Sequence, residues 1–446
     1  MTVLNLNNTG WQTGKYPLFL GEDLGLHDTM NRPYPELFDL FKTLKSLDWA
    51  EDEIDLSQSR MDFMECDAAS YDVMIKTLAW QYEADSVASR SIISLFAPFI
   101  TNSDLNQLML RWSDNEALHA TTYSEIVRQC ISNPDEIFEE ITKNKNITER
   151  SGKIVESFNN LKTLGAVYTL NKNAVPVEEI MKTILKALVS LYCLESMEFM
   201  PSFACTFALA ERELFLSAAS LVQKIMIDET IHTKFGEAIL NILLKDPKWL
   251  KVYNSIKHEV KDIVDSIFYQ ELSWSRYIFS EGRSIVGLNT PLLEDRVKYV
   301  SAPTYNFLDL DMPFEEVLEN PLPWMDDWLD IDSQQTAAQE TDLNNYRLNS
   351  VIKDTYDLTD FDFGDRDSVN KEETFIVFSK DNCPMCTILK SRMKENNIPY
   401  EESNITNDEE GRNFLISEGL RSLPQVFTSN LNYIGDAKFF SDNYLS

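Results

Sequence analysis

Residues 112–123 read WSDNEALHATTY, and residues 225–235 read IMIDETIHTKF. Each stretch sets a glutamate and a histidine three apart, Glu116 with His119 and Glu229 with His232. On a helix that spacing puts both side chains on one face, and Tyr123 falls one further turn along the first. A single Glu-x-x-His recurs by chance on solvated helices. Here the second copy lies inside an apolar stretch, where unpaired charge is costly to bury, and the two pairs use two of the chain's 4 histidines. Two more acids sit in apolar helical stretches, Asp85 in EADSVASRS (83–91) and Glu195 in LYCLESMEF (191–199). The pattern predicts four helices that aim four carboxylates and two imidazoles into one interior.

The surrounding sequence agrees. From about Tyr34 to Gly282 apolar residues recur with helical spacing, as in IMKTILKALVSLYCLESMEFM (180–200), and glycine is sparse. An acid from each of two helices and Glu-x-x-His from each of two others is the ligand set of ferritin-like di-iron and di-manganese bundles. Oxygen-rich sites with two imidazoles suit iron, with manganese as the alternative, and a carboxylate-bridged pair of either passes two electrons to dioxygen. The expected metal ligands are therefore Asp85, Glu116, His119, Glu195, Glu229 and His232. Tyr123 reads equally as a core aromatic or as a phenol within reach of a strong oxidant. Phe199 and Phe203, at four-residue steps after Glu195, and Ile225, four before Glu229, read as plain core or as a dry wall around that phenol.

The composition narrows the partners. A formal charge of −32 repels phosphate backbones and anionic lipid, so neither nucleic acid nor a membrane is expected as partner. The first residues lack the basic start and apolar run of a signal peptide, and no stretch reaches the length of a membrane span, which predicts a cytoplasmic protein. Cys66, Cys130, Cys193 and Cys205 are scattered and read as buried thiols. Three domains are expected: a helical one over 1–331, a flexible acidic tail over 332–372, and a small α/β domain over 373–446. In the last, TFIVFSK, CTILKSRMKENN, YEESNI, EEGRNFLISEGL and QVFTSNLNYIG read as strand, helix, strand, helix and hairpin. Within it Cys383 and Cys386 stand at a strand-to-helix junction. A helix N-terminus lowers a thiol's pKa, so Cys383 is the expected nucleophile and Cys386 the resolving thiol; zinc would need ligands this domain does not supply.

The run DSVASRS, WSDNEALHATTY, SFACTFALAEREL, IDETIH, GLN, DLDMPF and NPLPWMDDWL, in this order, resembles the small, radical-generating subunit of class I ribonucleotide reductase over about residues 20 to 363. The resemblance implies that the six ligands hold the metal pair, that Tyr123 is the radical tyrosine, and that Phe199, Phe203 and Ile225 form its apolar pocket. It also implies roles that pattern alone does not single out. Trp49 and Asp228 match the radical path, and Tyr346 and Glu340 match the tail residues that carry the radical across to the large subunit. Asp357, Leu358, Phe361 and Phe363 in DLTDFDF match the peptide that docks there. A homodimer is implied as well. The docking peptide normally ends the chain, whereas here the chain continues.

With SLPQVF (422–427), where Leu423–Pro424 is expected as a cis peptide facing the thiols, and YIG (433–435), residues 373–446 resemble glutaredoxin. Lys380, Leu423 and Pro424 then fall where that family contacts glutathione. Met385 stands in place of the usual tyrosine of CPYC, and Asp436 in place of the second glycine of the usual pair, a departure that bears on glutathione affinity. The expected whole is a mainly α, ferritin-like bundle joined to a thioredoxin-fold domain: a reductase small subunit that makes a tyrosyl radical for a separate large subunit, with a fused glutaredoxin that re-reduces disulfides. The alternatives are a ferritin-like oxidase or hydroxylase, which has no use for Tyr346 or DLTDFDF, and a redox-domain scaffold with a degenerate bundle, which the intact ligand set opposes. No glycine-rich phosphate loop is present to bind substrate nucleotide.

Overall fold

The computed structural model describes residues 5–329 and, between 375 and 440, all but 382, 397, 418, 419, 421, 422, 430–432 and 437–439. The chain forms two compact units, 1–352 and 353–446. Tyr346, Glu340, Asp357, Leu358, Phe361 and Phe363 lie outside the described residues, as does the boundary between the units.

In the first unit α1 spans Pro35–Ser46, α2 Ala68–Phe96, α3 Ser103–Cys130, α4 Gly152–Leu170, α5 Val177–Cys193, α6 Phe199–Ala210, α7 Leu216–Lys245, α8 Lys257–Ile278 and α9 Thr290–Phe307. The starts are capped as the sequence allows. Asp67 accepts from the N–H groups of Ala69 and Ser70 ahead of α2, and Asn102 accepts from that of Leu105 at α3. Helical structure runs past Gly282, where the apolar period was expected to end. Gly282 and Gly287, at φ 82° and 89°, turn the chain between α8 and α9 without ending the bundle.

Between α5 and α6 the helix widens into a π-turn, Leu194–Glu198. Pro201 explains part of it: proline has no N–H for the carbonyl four residues back, so the regular ladder cannot run through this point. The widened turn carries Glu195.

The bundle interior is one continuous apolar cluster that includes Trp80, Trp112, Tyr123, Phe199, Phe203, Ile225 and Phe235. A buried arginine ties its far side together. Arg150, 2% exposed, donates to both carboxylate oxygens of Glu271 on α8 at 2.6 Å, to Ser202 Oγ on α6 at 2.8 Å and to the Glu198 carbonyl at 2.6 Å. Its guanidinium lies 3.5 Å from the Trp80 ring centre and 4.4 Å from that of Trp274. Four of its five N–H groups are used in these bonds, which offsets much of the cost of burying such a charge.

In the second unit β1 (Phe375–Ser379), α10 (Pro384–Glu395), β2 (Tyr400–Asn404), α11 (Glu409–Ser417), β3 (Gln425–Thr428) and β4 (Tyr433–Asp436) follow the expected alternation. The sheet order is β2-β1-β3-β4, parallel between β1 and β2 and antiparallel elsewhere. Val377 of β1 and Val426 of β3 pack with Leu389 and Met393 of α10.

Arg150→Ala should lower stability by about 3–5 kcal/mol, because it strands the buried Glu271 carboxylate. Pairing Arg150→Met with Glu271→Leu should recover most of that. Chemical denaturation of the metal-free proteins checks both; a loss below about 1 kcal/mol in the single variant would mean that the arginine does not neutralise Glu271.

Candidate metal centre

The side chains of Asp85 on α2, Glu116 and His119 on α3, Glu195 in the π-turn, and Glu229 and His232 on α7 meet in the bundle interior, all fully buried. They form two overlapping groups. Asp85, Glu116, His119 and Glu229 bring one ligand atom each within 4.8 Å of one another, and so do Glu116, Glu195, Glu229 and His232. Glu116 and Glu229 belong to both, so two ions held here would share them. His119 Nδ1 lies 3.0 Å from Glu229 Oε1 and 3.9 Å from Asp85 Oδ2. His232 Nδ1 lies 3.0 Å from Glu116 Oε1, 2.7 Å from Glu229 Oε2 and 3.7 Å from Glu195 Oε2. Both imidazoles thus turn Nδ1 toward the carboxylates.

Whether a metal pair fits can be judged from what these atoms lack. Both oxygens of Asp85, both of Glu195, Glu116 Oε2 and Glu229 Oε1 are buried without a hydrogen-bond partner. Among the described residues no lysine or arginine forms an ion pair with any of the four acids. Burying four carboxylates against only two imidazoles is costly, and two divalent cations would balance their charge. The donor set, four carboxylates and two imidazoles, is that of iron or manganese. The residues fit the group.

The electrostatics of the cluster agree. Burial pushes the carboxyls of Asp85 and Glu195 well above the carboxylate range, and the neighbouring Glu116 and Glu229 push them further. Glu229 moves the other way: burial opposes it, but the imidazoles of His232 and His119 hold it below the usual range. Burial also works against charging the two histidines, yet Glu229 raises both well above their ordinary value, helped by Asp228 at His119 and by Glu116 at His232. Left to itself the cluster retains protons that a metal must displace.

Tyr123 is fully buried and its hydroxyl has no hydrogen-bond partner. Burial raises the phenol pKa well above 10, and Asp85, Glu229 and Glu116 raise it further. Phe199, Phe203 and Ile225 share its apolar cluster, with the two phenylalanine rings stacked 5.8 Å apart.

Trp49, half-buried in the segment after α1, donates its indole N–H to Asp228 Oδ2 at 2.8 Å. The same oxygen lies 3.1 Å from His119 Nε2. Since a carboxylate oxygen accepts, Nε2 carries the proton and Nδ1 is left for a metal. The Trp49 and His119 rings stack at 6.1 Å and 17°. A chain of contacts therefore runs from near the surface to a proposed ligand. Lys224, one turn before Asp228 on α7, stands 6.0 Å from the Trp49 ring and pairs with Glu53 at 2.9 Å.

Two partners were not anticipated. Trp112 donates to Glu116 Oε1 at 3.0 Å, a contact its spacing of four could have suggested. Asn115 donates to Asp228 Oδ2 at 3.0 Å. Asn115 follows no apolar period and its partner is on another helix, so no local signal points to it.

In the second unit Cys383 and Cys386 are joined as a disulfide, and Cys383 caps α10, its sulfur accepting from the Cys386 N–H at 3.2 Å. Both are buried, while Met385 between them is exposed. The Leu423–Pro424 peptide is cis and leads into β3, with Leu423 packed on the core and Pro424 buried. Lys380 is exposed just after β1.

Residues 27–321 match the family model described as "Ribonucleotide reductase, small chain", and residues 375–431 match "Glutaredoxin". The chain is 30% identical over 350 residues to the ribonucleoside-diphosphate reductase subunit beta of Buchnera aphidicola subsp. Schizaphis graminum, covering 76% of this chain and 93% of that one. It is 29% identical over 362 residues to the ribonucleoside-diphosphate reductase 1 subunit beta of Escherichia coli O157:H7, covering 78% and 96%. Among solved structures, the ribonucleotide reductase R2 subunit from Clostridium botulinum superposes with a TM-score of 0.63 at 19% identity, over 74% of this chain and 98% of that one, which shows a shared fold.

Manganese(II) added to metal-free protein should bind at two ions per chain, and Glu229→Ala should bind at most one with comparable affinity. The pH dependence follows from the raised pKa values of Asp85, Glu195, His119 and His232. The stability they confer on the metal-free fold is complete below their unfolded values and lost as pH rises through the raised ones. Metal binding displaces those protons, so apparent affinity should climb at least about tenfold from pH 6 to pH 7. Calorimetric titration reads both; a pH-independent affinity would mean that these groups are not the ligands.

Proposed function

Because the chain belongs to the ribonucleotide reductase small-chain family, of class I, and carries a glutaredoxin domain after it, we propose that it generates a radical at Tyr123 and returns that oxidising equivalent to a separate large subunit. The observation that carries this reading is the pair of ligand groups sharing Glu116 and Glu229, with Trp49, Asp228 and His119 leading outward from one of them. Bound by the six ligands, two iron ions, or manganese in their place, would supply the reduction of dioxygen and the oxidising power to take one electron from a phenol.

The chain's own residues then do the rest. Tyr123 gives up one electron and its phenolic proton. Its burial among Phe199, Phe203 and Ile225 keeps water and reductants from the resulting radical. His119 Nε2, Asp228 Oδ2 and Trp49 Nε1 relay single electrons between the buried site and the surface. Beyond Trp49 the relay continues through Tyr346, with Glu340 on the same route, while Asp357, Leu358, Phe361 and Phe363 dock on the large subunit. There ribonucleoside diphosphates are reduced to deoxyribonucleotides. The small subunit acts as a homodimer.

Each turnover leaves a disulfide in the large subunit. In reduced form, Cys383 as thiolate attacks that disulfide, its sulfur forming a mixed disulfide as the first large-subunit thiol leaves. Cys386 then displaces the second thiol and closes the Cys383–Cys386 bond. Two glutathione molecules restore the dithiol and leave as glutathione disulfide, with Lys380 and the Leu423–Pro424 segment as the contact surface. Sharing a chain keeps these thiols beside the docked partner. Only about nine residues of sequence separate Phe363 from the domain that begins at residue 373, a spacing that would hold the thiols at an effective concentration on the order of millimolar.

Tyr123→Phe should keep two metals per chain and lose the tyrosyl signal in electron spin resonance after iron-loaded protein meets air. A persistent tyrosyl signal would place the radical elsewhere. Cutting the chain between Gly364 and Lys371 should spare radical formation and docking but slow glutathione-supported turnover at low protein concentration, with recovery when the free glutaredoxin domain is added in large excess. An uncut rate under dilution would rule out the tether.

A further inference from the structure

Three hydrogen-bonding groups converge on one oxygen atom. Asp228 Oδ2 accepts from Trp49 Nε1 at 2.8 Å and from Asn115 Nδ2 at 3.0 Å, and lies 3.1 Å from His119 Nε2. Trp49 comes from the segment after α1, Asn115 and His119 from α3, and Asp228 from α7. All but Trp49 are buried.

Such crowding is not the default for a carboxylate. Its two oxygens offer roughly four acceptor directions, and rotation about the Cβ–Cγ bond would let the indole and the imidazole take one oxygen each. A third donor decides between these arrangements. Asn115 is held by the α3 backbone beside Glu116, and its amide reaches the atom that Trp49 and His119 share. The orientation of that amide follows from the chemistry: a carboxylate oxygen only accepts, so the NH₂ end must face it.

The other end of the amide is the second observation. Asn115 Oδ1 is buried and has no partner. An orphaned buried acceptor costs free energy, so folding by itself gains little from asparagine here, and an apolar residue of the same size would serve the core at least as well. What the asparagine does provide is the bond to Oδ2.

We propose that Asn115 is a positioning residue for electron transfer: it pins Asp228 so that one atom, Oδ2, bridges Trp49 Nε1 and His119 Nε2. The inference rests on the reading that Trp49, Asp228 and His119 carry electrons. The step it serves moves one electron. Trp49 gives it up, the oxidised side beyond His119 takes it, and the indole proton stays on Nε1, hydrogen-bonded to Oδ2. Without the amide the carboxylate turns, the two rings bond to different oxygens, and the route lengthens through the O–C–O unit. Losing a hydrogen bond to a charged acceptor shifts such a local equilibrium by about tenfold to a hundredfold, and the transfer rate falls with the population of the bridging geometry.

The test uses the full chain carrying Asn115→Leu, which keeps the size and removes the donor. In metal-free protein labelled with ¹⁵N-indole tryptophan, the Trp49 N–H resonance, identified by its loss in Trp49→Phe, should move or split in the variant. Thermal stability should change little, because loss of the bond to Asp228 is offset by removal of the unpartnered Oδ1. After loading with iron in air, metal content and Tyr123 radical yield should match the parent, and so should affinity for the large subunit, while deoxyribonucleotide formation falls about tenfold to a hundredfold. Turnover within about twofold of the parent overturns the proposal whatever the resonance does. An unmoved resonance overturns it too. A drop in metal content or stability equal to the drop in turnover would make Asn115 structural only. If the leucine variant does not fold, Asn115→Ala, smaller and equally without a donor, takes its place with the same outcomes. A parent protein that forms no tyrosyl radical would refute the proposed function, while the metal-free resonance would still decide whether Asn115 pins Asp228.

Discussion

Four carboxylates buried together, with no lysine or arginine against them among the described residues, are the constraint on which the helical unit depends. Asp85, Glu116, Glu195 and Glu229 are drawn from α2, α3, the π-turn and α7, and their unpartnered oxygens face one another across the interior. Self-repulsion and desolvation would drive such a set apart in a bundle that had only its own contacts to offer. The bundle tolerates it by holding protons on some members, as the raised carboxyls of Asp85 and Glu195 indicate, and by placing two imidazoles against Glu229. A fold tuned in this way is ready to exchange protons for metal.

The same unit holds another buried acid in the opposite way. Glu271 is met by Arg150, whose guanidinium spends its remaining donors on Ser202 and the Glu198 carbonyl and lies between two indole rings. There the chain brings its own cation, four of the five guanidinium donors are bonded, and the result is a fixed joint between helices. Six residues lie between Glu195 and Ser202, yet one end of that segment faces the proposed metal site and the other the arginine joint. The π-turn before Pro201 is where the helix passes from one to the other. Both arrangements obey one rule, that buried charge must be matched; they differ in whether the match comes from the chain or from solution.

Asp228 joins the cluster of carboxylates and imidazoles to half-buried Trp49 without belonging to it. It sits beside Glu229 on α7, so its side chain leaves the helix in another direction, toward Trp49 and α3. A helix that presents Glu229 on one face and Asp228 on the adjacent one fixes the spacing of their backbones. The glutaredoxin unit uses helix geometry for a different end. Its first cysteine caps α10, with its sulfur accepting from the Cys386 N–H.

What the sequence by itself determined is what travels along a single helix or turn. Glu116 with His119, and Glu229 with His232, share faces because the helical repeat is local, and burial of Asp85 and Glu195 was legible from their apolar neighbours. The strand and helix order of the second unit, and the Cys-x-x-Cys at its first helix, were legible for the same reason. Only the tertiary structure decided which carboxylates stand in both ligand groups, because Glu116 and Glu229 are shared through the relative height of α3 and α7, set by packing between helices. It alone paired Arg150 with Glu271, Trp49 with Asp228, and Asn115 with that same Asp228 oxygen. Those partners are far apart in the chain and obey no period. Hydrogen bonds between helices depend on crossing geometry that no single helix encodes, and so they appear only when the helices are assembled.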